Sequence, residues 1–209
     1  MTEAVAATTA GGSDWRNYPP LALPPILRVT LAHIVEHGYD STTVRTIARE
    51  VGVTVPALYY HFENKQAILV ALFDHAVSII TSHIDAALAE AGDDPVRRFS
   101  LMVEALALYM ALHRDLAFID SERRALSPDN LKSYVQHRDR VEQQLRESIE
   151  AGVAAGEFRT GDPEGCGRAI LSMCQGIAGW FRADGPDAAE DVARRYVAIA
   201  LATVQYTGA

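Results

Sequence analysis

The sequence predicts an all-α chain of about nine helices, and three observations carry that expectation. Apolar residues recur at intervals of three and four. Leu101, Ala105, Leu108 and Leu112 form one such stripe; Leu69, Leu72, Phe73, Ala76 and Ile80 form another. Helix starts are punctuated by a capping side chain followed by proline, at Asp94-Pro95, Ser127-Pro128 and Asp162-Pro163. A proline at the first helical position lacks only an N–H that has no intrahelical partner anyway. No stretch alternates with period two between hairpin turns.

In chain order, residues 1–20 open with MTEAVAATTAGGSD, small, polar and glycine-containing, and read as a disordered arm. A head at 21–67 follows, then a body at 68–209. Pro25 can start a helix over 25–37, which Gly38 stops in a left-handed conformation. Asp40, Ser41 or Thr42 can cap a second helix at 43–51. Its inner face carries Val44, Ile47, Ala48 and Val51, its outer face Thr43, Arg45, Thr46 and Arg49. Gly52-Val53-Thr54 turns the chain into a third helix of barely two turns, 55–61. Asn64 caps a long helix at 65–91. Further helices are expected at 94–111, 113–125, 128–155, 163–182 and 187–205, the last opened less cleanly by Gly185-Pro186-Asp187.

Two short helices joined by a glycine-containing turn make a helix-turn-helix pattern. A helix as short as 55–61 persists only when docked, so Leu58 and Phe62, four apart, should face the core. Val55, Pro56, Ala57, Tyr59 and Tyr60 then lie outward, with Thr54 before them and His61 after. Small apolar groups suit thymine methyls in a major groove, and hydroxyls suit phosphate oxygens. Lys65, at the start of the fourth helix, adds a cation beside a helix N-terminus.

Gly-Tyr-x-x-Thr-Thr-Val-Arg-x-Ile-Ala-x-x-Val-Gly-Val-Thr-x-x-x-Leu-Tyr-Tyr-His-Phe-x-x-Lys, from Gly38 to Lys65, resembles the TetR family of transcriptional regulators. The resemblance implies an all-helical homodimer. Its heads would bind a palindromic operator in double-stranded DNA, and its body would bind a small-molecule effector that releases the DNA. By position, Thr43, Tyr60, His61 and Lys65 would contact phosphates. Arg45, Val55, Pro56 and Ala57 would face bases, and Tyr59 would lie near the backbone. Family members usually start the first helix with basic residues, where Leu23-Pro24-Pro25-Ile26 stands here. His33-Ile34 likewise replaces the usual Leu-Phe. Fewer phosphate contacts and a shallower salt dependence are expected.

Charge agrees with a two-part chain. The net charge is −8, yet residues 16–65 carry five basic against four acidic side chains, leaving −9 on the remainder. In the body, Phe73, Val77, Met102, Leu106, Tyr109, Met110, Phe118, Tyr134 and Met173 are candidate effector contacts, suited to an apolar ligand. Glu122-Arg123-Arg124, with Arg138 and Arg140, reads first as a solvated ion-paired face and second as the holder of a negative ligand end. Ile170, Ile177, Trp180, Phe181, Tyr196, Ile199, Ala200 and Val204 on the last two helices are candidate dimer contacts, with Gly167, Gly176 and Gly179 allowing close approach. Gly152 to Val204 is similar to TetR relatives that control lipid or steroid breakdown, which implies an acyl-CoA or fatty-acid-like effector.

Other chemistries find little support. Cys166 and Cys174, eight apart, read as reduced core thiols of a cytoplasmic protein and lack a base partner for nucleophilic catalysis. His33 and His37 could form a metal pair, but spacing places no third ligand, so no metal and no cofactor is expected. Gly161-Asp162-Pro163-Glu164-Gly165-Cys166-Gly167 lacks the Lys-Ser/Thr of a phosphate loop and reads as a capped helix start. No signal peptide and no apolar run of membrane-spanning length is expected. The thin basic arm motivates one rival reading: a helical sensor or interaction module on the same scaffold without specific DNA binding.

Overall fold

The computed structural model describes residues 14–208. Nine α-helices and one 3-10 segment fill the described residues, with no strand among them. They are α1 (Pro25–His37), α2 (Val44–Val51), α3 (Val55–His61), α4 (Lys65–Ala91), α5 (Pro95–Leu112), α6 (Arg114–Phe118), the 3-10 segment Ile119–Ala125, α7 (Pro128–Ala154), α8 (Pro163–Trp180) and α9 (Ala189–Thr203).

The caps explain why the starts fall where they do. Asn64, Asp94, Ser127 and Asp162 each accept from a backbone N–H in the first turn that follows. Each such bond satisfies a donor the helix cannot. Two starts differ from expectation. Thr43, not Asp40, Ser41 or Thr42, caps α2, because its Oγ1 accepts from Thr46 N at 3.1 Å. Thr42 is buried and donates instead to the Gly38 carbonyl at 2.9 Å. At α9, Asp187 does not cap: it pairs with Arg195 at 2.5 Å, and the helix begins at Ala189 without a side-chain cap. The helix expected at 113–125 is split, because after Phe118 the chain tightens into the 3-10 segment.

Two apolar clusters form the core, and α4 runs through both. In the head, Leu27, Leu31, Ile34, Ile47 and Leu58 close on Ile68, Leu69, Leu72 and Phe73 of α4. This cluster continues past the expected boundary at residue 67 and takes in Tyr109, Leu116, Ile119 and Leu126, so the head sits directly on α5, α6 and the 3-10 segment. In the body, Ile84, Ala87 and Leu88 of α4 pack with α5, α7, α8 and α9. Serving two cores makes α4 long and apolar enough, by length and composition, to cross a membrane. That corrects the expectation that no such run exists.

The expected arm at 1–20 also needs correction. Residues 1–13 lie outside the described part, but 14–20 are held as a strap against α4 and α5. Trp15 is buried and its Nε1 donates to Glu90 at 2.6 Å. Arg16 bridges Glu90 of α4 (2.9 Å) and Glu104 of α5 (2.6 Å). Tyr18 stacks on His83, with ring centroids 4.0 Å apart, and donates to the Ala105 carbonyl. Hydrogen bonds from Arg16 and Trp15 hold the Glu90 carboxyl below the usual carboxylate range.

Candidate nucleic-acid interface and effector cavity

The head presents α3 outward, with Leu58 as its deepest anchor. Leu58 is fully buried and Phe62 packs partly against the same cluster, as their spacing requires. Burying one leucine stabilises by about 2 kcal/mol, enough to hold a helix too short to persist alone. Thr54 caps it, accepting from Ala57 N at 3.2 Å. Gly52, at φ 80 and ψ 28, makes the left-handed turn between α2 and α3. Pro56, Ala57 and His61 are exposed and Val55 half-buried. Tyr59 is 48% exposed and Tyr60 88%. Thr43 and Arg45 are exposed at the start of α2.

Lys65 is placed differently from its neighbours in the motif. Its Nζ donates to the carbonyls of Tyr39 (2.9 Å) and Thr42 (3.0 Å) and lies 3.9 Å from the centroid of the Tyr39 ring. Two of its three N–H donors are therefore used to pin the α1–α2 turn. His33 Nε2 sits 2.8 Å from a Glu50 carboxylate oxygen, joining α1 to α2.

In the body, α4, α5, α6, the 3-10 segment, α7 and α8 line a half-open cavity of about 550 Å³. Of the expected contacts, Phe73, Val77, Leu106, Tyr109, Met110, Phe118 and Tyr134 line it. Met102 and Met173 do not. Met102 is fully buried in the body core, and Met173 packs partly against that core from α8. Burial pushes the Cys174 thiol up to about 12, so it stays protonated. Cys174 nonetheless reaches the cavity wall, as do Asp120, Ser121, His137 and Gln175. Asp120 accepts from the Tyr134 hydroxyl, pairs with Arg123 at 3.1 Å and lies 3.5 Å from Arg138. Burial first, and Asp120 second, push both the Tyr109 and Tyr134 phenols above their ordinary range. This polar cluster was only half legible in the sequence. Arg123 and Arg138 stood out, while Asp120, the acid that joins them, carries no mark in the sequence.

The expected dimer contacts divide into two groups. Ile170, Ile177, Phe181, Ala200 and Val204 are buried in the chain's own core and are not free to meet a partner. Trp180 (47% exposed) and Ile199 (50% exposed) remain outside, with Tyr196 half-buried and roughly parallel to the Trp180 ring at 6.4 Å. Gly176 and Gly179 of α8 have open space where a Cβ would stand.

Residues 26–72 match the family of bacterial regulatory proteins named tetR, and residues 92–204 match the tetracyclin repressor-like C-terminal domain. The HTH-type transcriptional repressor KstR2 of Mycolicibacterium smegmatis is 24% identical over 190 residues, 90% of this chain and 93% of its own. A tetR-family regulatory protein from Rhodococcus RHA1 superposes with a TM-score of 0.82 at 27% identity, over 88% of this chain and 97% of that one. AibR, solved with isovaleryl coenzyme A and operator DNA, shares the fold at a TM-score of 0.76 and 22% identity, over 83% and 95% of the two chains. With a docked helix-turn-helix, a cavity in the helical body and both halves matched, the chain belongs to the tetR family of transcriptional regulators.

Proposed function

We propose that this regulator is a repressor that binds a palindromic operator as a dimer and leaves it when an apolar effector with a polar end fills the body cavity. The observation that carries the DNA half is Tyr60. A ring 88% exposed at the outer face of a short, anchored helix contributes little to the core among the described residues and is free to meet a partner outside the chain. Beside it, Thr43, Arg45, Pro56 and Ala57 supply the hydroxyl, cation and small apolar groups that a phosphate backbone and a major groove accept. Trp180, Tyr196 and Ile199, flanking the open glycines of α8, supply the apolar centre of a two-fold contact.

A cavity of about 550 Å³ falls within the range that holds drug-sized ligands. Its apolar wall suits an acyl chain, and Arg123 and Arg138 suit a carbonyl or carboxylate oxygen at the chain's end. The likeness to a fold solved with isovaleryl coenzyme A supports an acyl-CoA or fatty-acid-like effector. The test is fluorescence anisotropy of a duplex enriched from a random library, titrated with decanoyl-CoA, decanoate and coenzyme A alone. Release by the acylated compounds and not by coenzyme A is expected. A bound duplex that none of the three moves would overturn the effector class.

A further inference from the structure

The 3-10 segment Ile119–Ala125 has one face on the cavity and one on the DNA-binding head. Asp120, Ser121 and Arg123 line the cavity. Asp120 is held there by Tyr134 and Arg138 of α7 and by Arg123 of its own segment. Between Ser121 and Arg123, Glu122 points the other way. Its Oε1 accepts from the Tyr39 backbone N–H at 3.2 Å, in the turn that joins α1 to α2. That turn is also where Lys65 docks, on the Tyr39 and Thr42 carbonyls and the Tyr39 ring. The next residue, Thr43, caps α2. The far end of the segment is tied to the head helix α4, because Gln66 donates to the Ala125 carbonyl at 3.2 Å and accepts from Ser127 N and Asn130 Nδ2.

We infer that Glu122 is a positioning residue that carries the state of the Asp120 cluster to the α1–α2 turn, and so sets the placement of the helix-turn-helix. The inference rests on the reading that cavity occupancy controls DNA binding. Three physical points support it. A 3-10 run of seven residues is long for this geometry and has poorer hydrogen bonds than an α-helix, so it rearranges at low cost. Asp120 and Glu122 are separated by one residue, so a backbone rotation that moves one carboxylate moves the other. Glu122 is a charged acceptor on the N–H of Tyr39, in a turn whose Tyr39 and Thr42 carbonyls accept from the Lys65 cation. Loss of that acceptor leaves the Tyr39 N–H of a buried residue without its partner.

The experiment is a double-mutant cycle on the full-length chain between Tyr134→Phe, which removes one of the three side chains that hold Asp120, and Glu122→Ala, with Glu122→Gln, which keeps an acceptor oxygen, as the conservative variant of the same position. Two quantities are read: the exchange rate of the Tyr39 amide hydrogen, and affinity for the enriched duplex. Tyr134→Phe is expected to change each by about five-fold in the wild-type background and by less than about two-fold in the Glu122→Ala background, with Glu122→Gln retaining part of the effect. A change of the same size in both backgrounds, or a Tyr39 amide indifferent to Tyr134→Phe, overturns the inference. The amide readout needs neither DNA nor effector. Failure to enrich any duplex would therefore count against the proposed function and leave the amide result to decide the coupling.

Discussion

Tyr60 and Lys65 stand five positions apart in one motif, and the fold uses them in opposite ways. Tyr60 is almost wholly exposed and stands roughly perpendicular to the His61 ring, at a centroid distance of 5.5 Å. Lys65 is built into the head, bonded to carbonyls 26 and 23 residues earlier. Tyr60→Ala should therefore lower affinity for the enriched duplex by about ten-fold while leaving the melting temperature within about a degree. Lys65→Ala should lower both, since two carbonyls lose a charged donor at a cost of about 1–3 kcal/mol. Anisotropy and calorimetry on the two variants separate the roles. The motif marked both residues in the sequence; it could not distinguish them, because the Lys65 partners come from a turn on another element. His113 gives a pH prediction. Burial pushes its imidazole below the ordinary 6.5, and His83 adds to the effect. The unfolded chain then takes up the proton first as pH falls. The stability from neutral His113 is complete above 6.5 and is lost as pH drops below it toward the folded value. The melting temperature should fall from about pH 7.5 to about pH 5.5, and fall less steeply in His113→Gln.

Most elements were legible because their ends are written in capping side chains. The bonds made by Asn64, Asp94, Ser127 and Asp162 are local, so the sequence shows them directly. Two things at this scale were not. The tightening of 119–125 into a 3-10 segment leaves a residue pattern that still fits a helical period. On α8 and α9 an apolar stripe looks the same whether it faces its own chain or a second copy, and Ile170, Ile177, Ala200 and Val204 face inward. The junction after α7 shows how little room the body core leaves. A Cβ on Gly152 would run into the Phe158 ring, which is itself buried and edge-on to Phe99 at 5.2 Å. Gly152→Ala should destabilise by about 2–3 kcal/mol through this clash. Thermal unfolding would show a drop of several degrees, and an unchanged melting temperature would mean that the ring can move aside.

At the scale of the molecule, the arm is the part the sequence hid. Trp15, Arg16 and Tyr18 carry no periodicity, and their partners lie far along the chain on α4 and α5. Arg16 is spent on Glu90 and Glu104, which removes it from the cations available to DNA. Arg28, Arg45 and Arg49 remain exposed on the head. If both heads of a dimer set Arg28 and Arg49 against phosphates, the logarithm of the binding constant should fall against the logarithm of salt concentration with a slope of about −4. Arg49→Ala should make that slope shallower by about 2, one contact being lost from each head. A modest salt dependence was already to be expected from the sequence, because Leu23-Pro24-Pro25-Ile26 stands where family members usually carry basic residues. The measurement that tests the account most directly is selection of bound duplexes from a random library by the purified full-length chain at low salt, without ligand. The account predicts enrichment of a two-fold symmetric sequence whose half-site centres lie about one helical turn apart, roughly 34–36 Å. No enrichment, or enrichment of a site without symmetry, would contradict a dimer that reads DNA through α3.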